Sequence, residues 1–159
     1  MSAEEKLFDC LRKIVKLQKS LYQIALKKTD ILKADDVEAL GQLMKEEIKH
    51  IKAIEIIDKE REQLQSQLSS GEMTISELLQ SSLIKNKEGL QNLQLKLVEQ
   101  TQKLKELNEL NQQLLQQSLN FINLNLDILL GQQESNNYTD DPSSSQDEGT
   151  SRSLFDSRA

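Results

Sequence analysis

The chain has 159 residues, 36% of them hydrophobic, 29% charged and 3% aromatic, with no tryptophan and a formal net charge of −6. That length fits one folding unit plus a tail. With acids in excess and no basic stripe, the composition argues against nucleic acid as a partner. The single cysteine rules out an internal disulfide.

No apolar run approaches the roughly 18 residues needed to cross a bilayer, so membrane insertion is not expected. The opening MSAEEKLFDC carries acids where a signal peptide would carry Lys or Arg before an apolar stretch, so the cytosol is the expected location. The only proline is Pro142, and from Met1 to Gly131 nothing of that kind interrupts a helix. Leu, Lys, Glu and Gln dominate the same stretch, a mixture typical of long helices and coiled coils. The expected fold is all-α: an antiparallel helical hairpin plus a long C-terminal helix, forming an elongated coiled-coil-like bundle over residues 1–131.

The first helix is predicted over about 2–33. Leu7, Ile14 and Leu21 recur at one heptad position and Cys10, Leu17, Ile24 and Ile31 at the other, with Lys28 the break. Such a beat buries one seam against a neighbouring helix. Lys33-Ala34-Asp35-Asp36-Val37 then supplies a lysine for the last turn and an Asx cap for the next helix. So short a connection makes the second helix antiparallel to the first.

The second helix, about 36–69, presents Val37, Leu40, Met44, Ile48, Ile51, Ile54, Ile57, Leu64 and Leu68 as its apolar positions. Gly41 within it is a local weakness of roughly 1 kcal/mol. Gly71 is placed for a left-handed cap, and Thr74-Ile75-Ser76-Glu77 is a capping box that restarts helix. The short helix predicted there spans about 75–84, either separate or continuous with the last helix.

That last helix, about 85–130, holds its heptad seam with Leu90, Leu93, Leu97, Leu104, Leu107, Leu114, Phe121 and Ile128. Gln100, Asn111, Ser118 and Asn125 intrude on it. Gly131 is expected to stop it. The tail, 132–159, holds six acids against Arg152 and Arg158 and almost nothing to bury, and is expected to be disordered.

Length locates a candidate site. At about 1.5 Å per residue the first two helices are each roughly 50 Å long and the last roughly 70 Å. About a dozen residues of the last helix therefore lack a full set of partners. If packing starts near residue 85, these are Ser118–Leu130, SLNFINLNLDILL. An overhang serving no purpose should be polar. This one carries Leu119, Phe121, Ile122, Leu124, Leu126, Ile128, Leu129 and Leu130 around well over half the helix, as expected of a protein-binding surface. The alternative is that the short helix 75–84 folds over this end and covers it. Asn111 and Asn125 admit two readings, a buried register-setting pair or part of a wet, exchangeable interface.

Chemistry-bearing motifs are missing. His50 is the sole histidine and is expected to face solvent; Cys10, in the first seam, reads as a buried structural thiol. Glu46-Glu47 and Glu60-Arg61-Glu62 read as solvated faces beside Lys49, Lys52 and Lys59. No zinc cluster, P-loop or nucleotide fingerprint is present. No enzyme activity, cofactor or metal is expected.

Four stretches together resemble the FlgN family of flagellar type III export chaperones. They are the turn LKADDVEAL (32–40), EEIKHIKAIEIIDKER (46–61), MTISELL (73–79) and LKELNELNQQLLQQSLNFINLNLDILL (104–130). The ending Leu154-Phe155-Asp156-Ser157-Arg158-Ala159 is similar to that of Bacillus-type members. The resemblance implies a cytosolic chaperone that binds assembly-prone terminal helices of hook-associated proteins, the hook–filament junction proteins, and delivers them to the flagellar export apparatus. It places client binding on about Leu107–Leu130, with Leu107, Asn111, Leu114, Leu115, Leu119, Phe121, Ile122, Leu126 and Leu129 as its residues. A chaperone of this kind is expected to be a monomer or weak homodimer that gives up self-contacts for client. The rival is a homo-oligomeric coiled-coil adaptor or spacer whose last helix pairs with itself.

Overall fold

The computed structural model describes residues 1–137, and their side chains through residue 131. Four helices follow in order: α1 Ala3–Lys33, α2 Val37–Ser69, α3 Ile75–Gln80 and α4 Lys87–Asn137, with no strand among the described residues. The chain divides into two compact units, Met1–Asn120 and Phe121–Ala159. The expected tail beyond residue 137, with its Leu154-Phe155 pair, lies outside the described residues.

Helix starts obey the local chemistry. Ser2 caps α1, its hydroxyl accepting from Glu5 N at 3.2 Å while the Glu5 carboxylate accepts from Ser2 N at 2.7 Å. These bonds satisfy two of the amides left unpaired at a helix start, and the backbone amide of Ser2 holds the Glu5 carboxyl below its usual range. Thr74 and Glu77 repeat the device at α3, at 3.2 and 2.7 Å. Asp36 caps α2 by accepting from Ala39 N at 3.0 Å. Asp35 before it takes φ 53°, the left-handed region that Asp tolerates.

Three boundaries differ from expectation. Ser70, not Gly71, adopts the left-handed conformation that closes α2, at φ 54°. The Ser69 hydroxyl donates to the Gln65 carbonyl at 2.8 Å, so the last turn is completed one residue earlier. α3 stops at Gln80 and is separate from α4. The Ser81 hydroxyl, 2.7 Å from the Leu78 carbonyl, also accepts from Leu83 N at 3.2 Å and breaks the helical path. Gly131 does not end α4, which continues to Asn137; an interior glycine costs only about 1 kcal/mol, less than cooperative helix on both sides supplies.

α1 is the central helix. It buries Leu7, Cys10, Ile14 and Ile24 of the expected seam, and also Phe8, Leu11, Val15, Ala25, Thr29 and Leu32, each one residue further on. One residue is about 100° of rotation, so α1 carries two buried stripes because it packs on two helices. α2 lies antiparallel on the first stripe, where Ser20 Oγ is 2.9 Å from His50 Nε2 and Lys28 Nζ is 2.5 Å from a Glu47 oxygen. α4 lies parallel on the second. Asn86 N bonds Glu4, Gln18 bonds Thr101, Thr29 bonds Asn111 and Ser118 bonds Asp35, at the near-constant separation of 82–83 residues.

The expected α2 seam is partly displaced. Val37, Met44, Ile48 and Ile51 are exposed, while Leu43 and Leu64 are buried. The α2 residues that are buried in the core or bonded to α1 are Leu43, Glu47, His50, Ile57, Leu64 and Leu68. His50 accordingly departs from its expected solvent-facing position: it is half-buried, with Nδ1 2.9 Å from the Glu46 carbonyl and Nε2 on Ser20. The tightest core gathers where α1 begins and α2 ends, around Leu7, Leu11, Leu64, Leu78, Ile84 and Leu90. Cys10 lies within it as expected; burial raises its thiol pKa, and the neighbouring Glu60 adds to the rise.

Candidate functional site

α4 begins on a cap packed closely against a glycine. Asn86 Oδ1 accepts from Gly89 N at 2.9 Å, and a Cβ on Gly89 would sit 2.7 Å from the Asn86 side chain. From there the seam Leu90, Leu93, Leu97, Gln100, Leu104, Leu107, Asn111, Leu114 and Ser118 is buried or half-buried. Its spacing alternates three and four residues, the coiled-coil beat.

Asn111 is 4% exposed. Its Nδ2 donates to the Ala25 carbonyl at 2.9 Å and its Oδ1 lies 2.5 Å from Thr29 Oγ1. Of the two readings for the seam asparagines, the buried register pin is the one realised at Asn111. Asn125 is exposed. Asn111 is therefore committed inside the bundle and does not lie on an open face with the other expected client-contacting residues. Leu107 and Leu114 are half-buried in the same seam.

The remaining six residues assigned to the site, Leu115, Leu119, Phe121, Ile122, Leu126 and Leu129, are 42–64% exposed. Leu124, Ile128 and Leu130 beside them are also exposed. In the first unit Leu115 and Leu119 lie one turn apart on α4; in the second, Ile122, Leu126 and Leu129 form an apolar stripe with Phe121 and Ile128 to one side of it. Gln116, Asn120, Asn123 and Asp127 share one side of the helix, with Gln116 donating to Asn120 at 3.0 Å, while Asn125 interrupts the apolar residues on the other. Asp127 is the only charged residue from Ser118 to Leu130.

Within the first unit, α3 is committed to the core. Its Leu78 is fully buried in the core with Leu7 and Leu90, and every described residue from Leu119 to Gly131 is exposed. An exposed apolar stretch of this extent on a helix has the chemistry of a helix-binding surface. No group of His, Cys, Asp and Glu fit to hold a metal ion occurs among the described residues, and no helix there is long and apolar enough to cross a membrane.

Sequence reasoning missed Met44, Ile48 and Ile51 as surface residues. The signal was their spacing: taken with Ile54 and Ile57 they run four, three, three, three, which drifts around a helix instead of keeping to one side. The true α2 seam was hidden because Glu47 and His50 occupy positions where apolar residues are sought.

The family model described as FlgN protein matches residues 1–146. An uncharacterized protein, YvyG, of Bacillus subtilis (strain 168) is 29% identical over 161 residues, with 100% of both chains covered. No solved structure matches. The chain belongs to the FlgN family, and that membership supports a general role as a flagellar export chaperone.

Proposed function

We propose that the chain holds the assembly-prone terminal helices of flagellar hook-associated proteins in the cytosol and delivers them to the flagellar type III export apparatus. The observation that carries this reading is the uncovered apolar run of α4, where Leu119, Phe121, Ile122 and their neighbours are 46–64% exposed. Its mode of action is passive. The run completes a helical bundle with amphipathic client helices, burying on both partners surface that would otherwise associate with copies of itself. Contacts near the centre of such a patch carry most of the affinity, at about 2 kcal/mol or more for an aromatic anchor.

The test is light scattering of the purified chain with and without a hook-associated protein's terminal segment. A complex is expected, and Phe121→Asp with Ile122→Asp should weaken it more than tenfold while helicity stays at the parental level. Deleting residues 118–130 should abolish it. Unchanged binding in both variants, with the hairpin still folded, sinks the reading. A tight oligomer indifferent to the segment favours the spacer instead.

A further inference from the structure

A helix that packs on two neighbours at once carries a mark in its sequence. In α1 the mark is a set of adjacent apolar pairs, Leu7-Phe8, Cys10-Leu11, Ile14-Val15 and Ile24-Ala25, with one member of each pair on each of its two buried stripes. All eight residues are 0–7% exposed. The offset within a pair is about 100° of rotation, enough to point the two side chains at different neighbours.

The end of α4 in the second unit carries the same mark with both stripes open. Phe121-Ile122 and Ile128-Leu129 are its adjacent pairs. On the helical register Phe121, Leu124 and Ile128 fall within about 60° of one another, and Ile122, Leu126 and Leu129 within a second arc of about 60°. Each group keeps the three-and-four spacing of a packed seam, and all six residues are 49–64% exposed. Asn125 stands between the groups, and Asn123 and Asp127 occupy the far side. With Leu130 beside the second group, apolar residues span roughly 240° of the circumference, where a single seam takes about 100°. One partner helix therefore leaves much of this surface in water.

We infer that the end of α4 is the central helix of a three-helix bundle whose other two helices both come from one client molecule, one on each stripe. This rests on the chaperone reading above and deepens it, because it sets how many helices the site takes. An isologous pair of chains covers one stripe and leaves the other bare. Copies of the chain cover both only by setting the first stripe of one on the second stripe of the next, which closes as a ring or runs on as a filament. A client that brings two helices completes the bundle in a single complex. Each of its helices needs about ten residues, or 15 Å, to match Phe121–Leu130. Asp127 is the one charge on that stretch and lies off both stripes, so the amide of Asn125 is the polar group between the two client helices. The residues they turn toward it are uncharged and polar, since a charge buried there has no ion to pair with.

The experiment follows alkylation of one added cysteine in the full chain, alone and with a full-length hook-associated protein, while light scattering gives the stoichiometry. Ile128→Cys reports on the first stripe, Leu126→Cys on the second and Asn123→Cys on the polar side; Cys10, 1% exposed, sets a slow background. Leu124→Cys and Leu129→Cys repeat the measurement where either stripe variant weakens the complex. In a complex of one client per chain, with client at about ten times its Kd, both stripe cysteines should react about tenfold more slowly, as the free fraction dictates, and Asn123→Cys should keep its rate. Protection of one stripe alone overturns this inference and leaves the chaperone reading intact. Two clients per chain overturn it as well. Slow reaction at both stripes in the chain alone assigns them to further copies or to its own residues 138–159, and likewise overturns it. No complex with client overturns both.

Discussion

Replacing Asn111 separates what holds the bundle together from what binds a partner. Its amide makes two contacts across 82 and 86 residues of chain, to Thr29 Oγ1 and the Ala25 carbonyl. Asn111→Ala removes two hydrogen bonds, each contributing about 0.5–1.5 kcal/mol net, and opens a small void against α1. The expected loss is about 2–3 kcal/mol. Thr29→Val alone should cost about 1–3 kcal/mol, because Asn111 Oδ1 is then left buried without a donor. The double variant Thr29→Val with Asn111→Leu should come back close to the parent, since both polar partners are gone and the Ala25 carbonyl keeps its helical donor. Urea unfolding monitored by helical circular dichroism gives these values, with an unchanged m-value as the check that the same surface is exposed. Client affinity of the double variant should match the parent. Single variants that each cost less than about 0.5 kcal/mol would show that the network does not pin α4, and the reasoning about register would be wrong.

Two glycines should respond in opposite senses to alanine. Gly41 has open space around its Cβ direction, so Gly41→Ala should raise stability by about 0.5–1 kcal/mol in thermal unfolding. Gly89→Ala should forfeit that gain, because the new methyl collides with the Asn86 cap. Acid should loosen the capping boxes. The Thr74 backbone amide holds the Glu77 carboxyl below its usual range, so its stabilising contribution is present above the unfolded value, about 4.3, and is lost as pH falls through the lower folded value. Protection of the Thr74 amide, which donates to that carboxylate, from hydrogen exchange should fall over that window, and Glu77→Gln should flatten the response.

Much of the fold is legible in the residues. The Asp36 and Thr74 caps each rest on a short polar side chain with an amide within reach, and both formed; the Ser2 capping box, of the same S-x-x-E form, went unread. α1's second buried stripe was not legible, because Phe8, Val15 and Leu32 read as scatter until a second neighbour requires them. The α2 seam was misassigned for a related reason: Lys28–Glu47 and Ser20–His50 are polar pairs that tertiary packing half-buries, which hydrophobic periodicity does not register. At the candidate site, the apolar excess from Leu119 to Leu130 is visible without coordinates. Asn111 belonging to the bundle is not, since the deciding partners, Ala25 and Thr29, lie more than eighty residues away in sequence.

The parallel docking of α4 bears on the order in which the molecule assembles. α1 and α2 join through the three residues Ala34–Asp36, so their pairing closes over short loops. The α1–α4 contacts close loops of 82–86 residues, a cost growing as (3/2)RT ln n and reaching about 4 kcal/mol at that length. The hairpin is thus the early folding unit, and α4 settles onto a surface already in place. Run in reverse, the same asymmetry makes α4 the element that opens first in native-state hydrogen exchange, with the amides of α1 the last to be released.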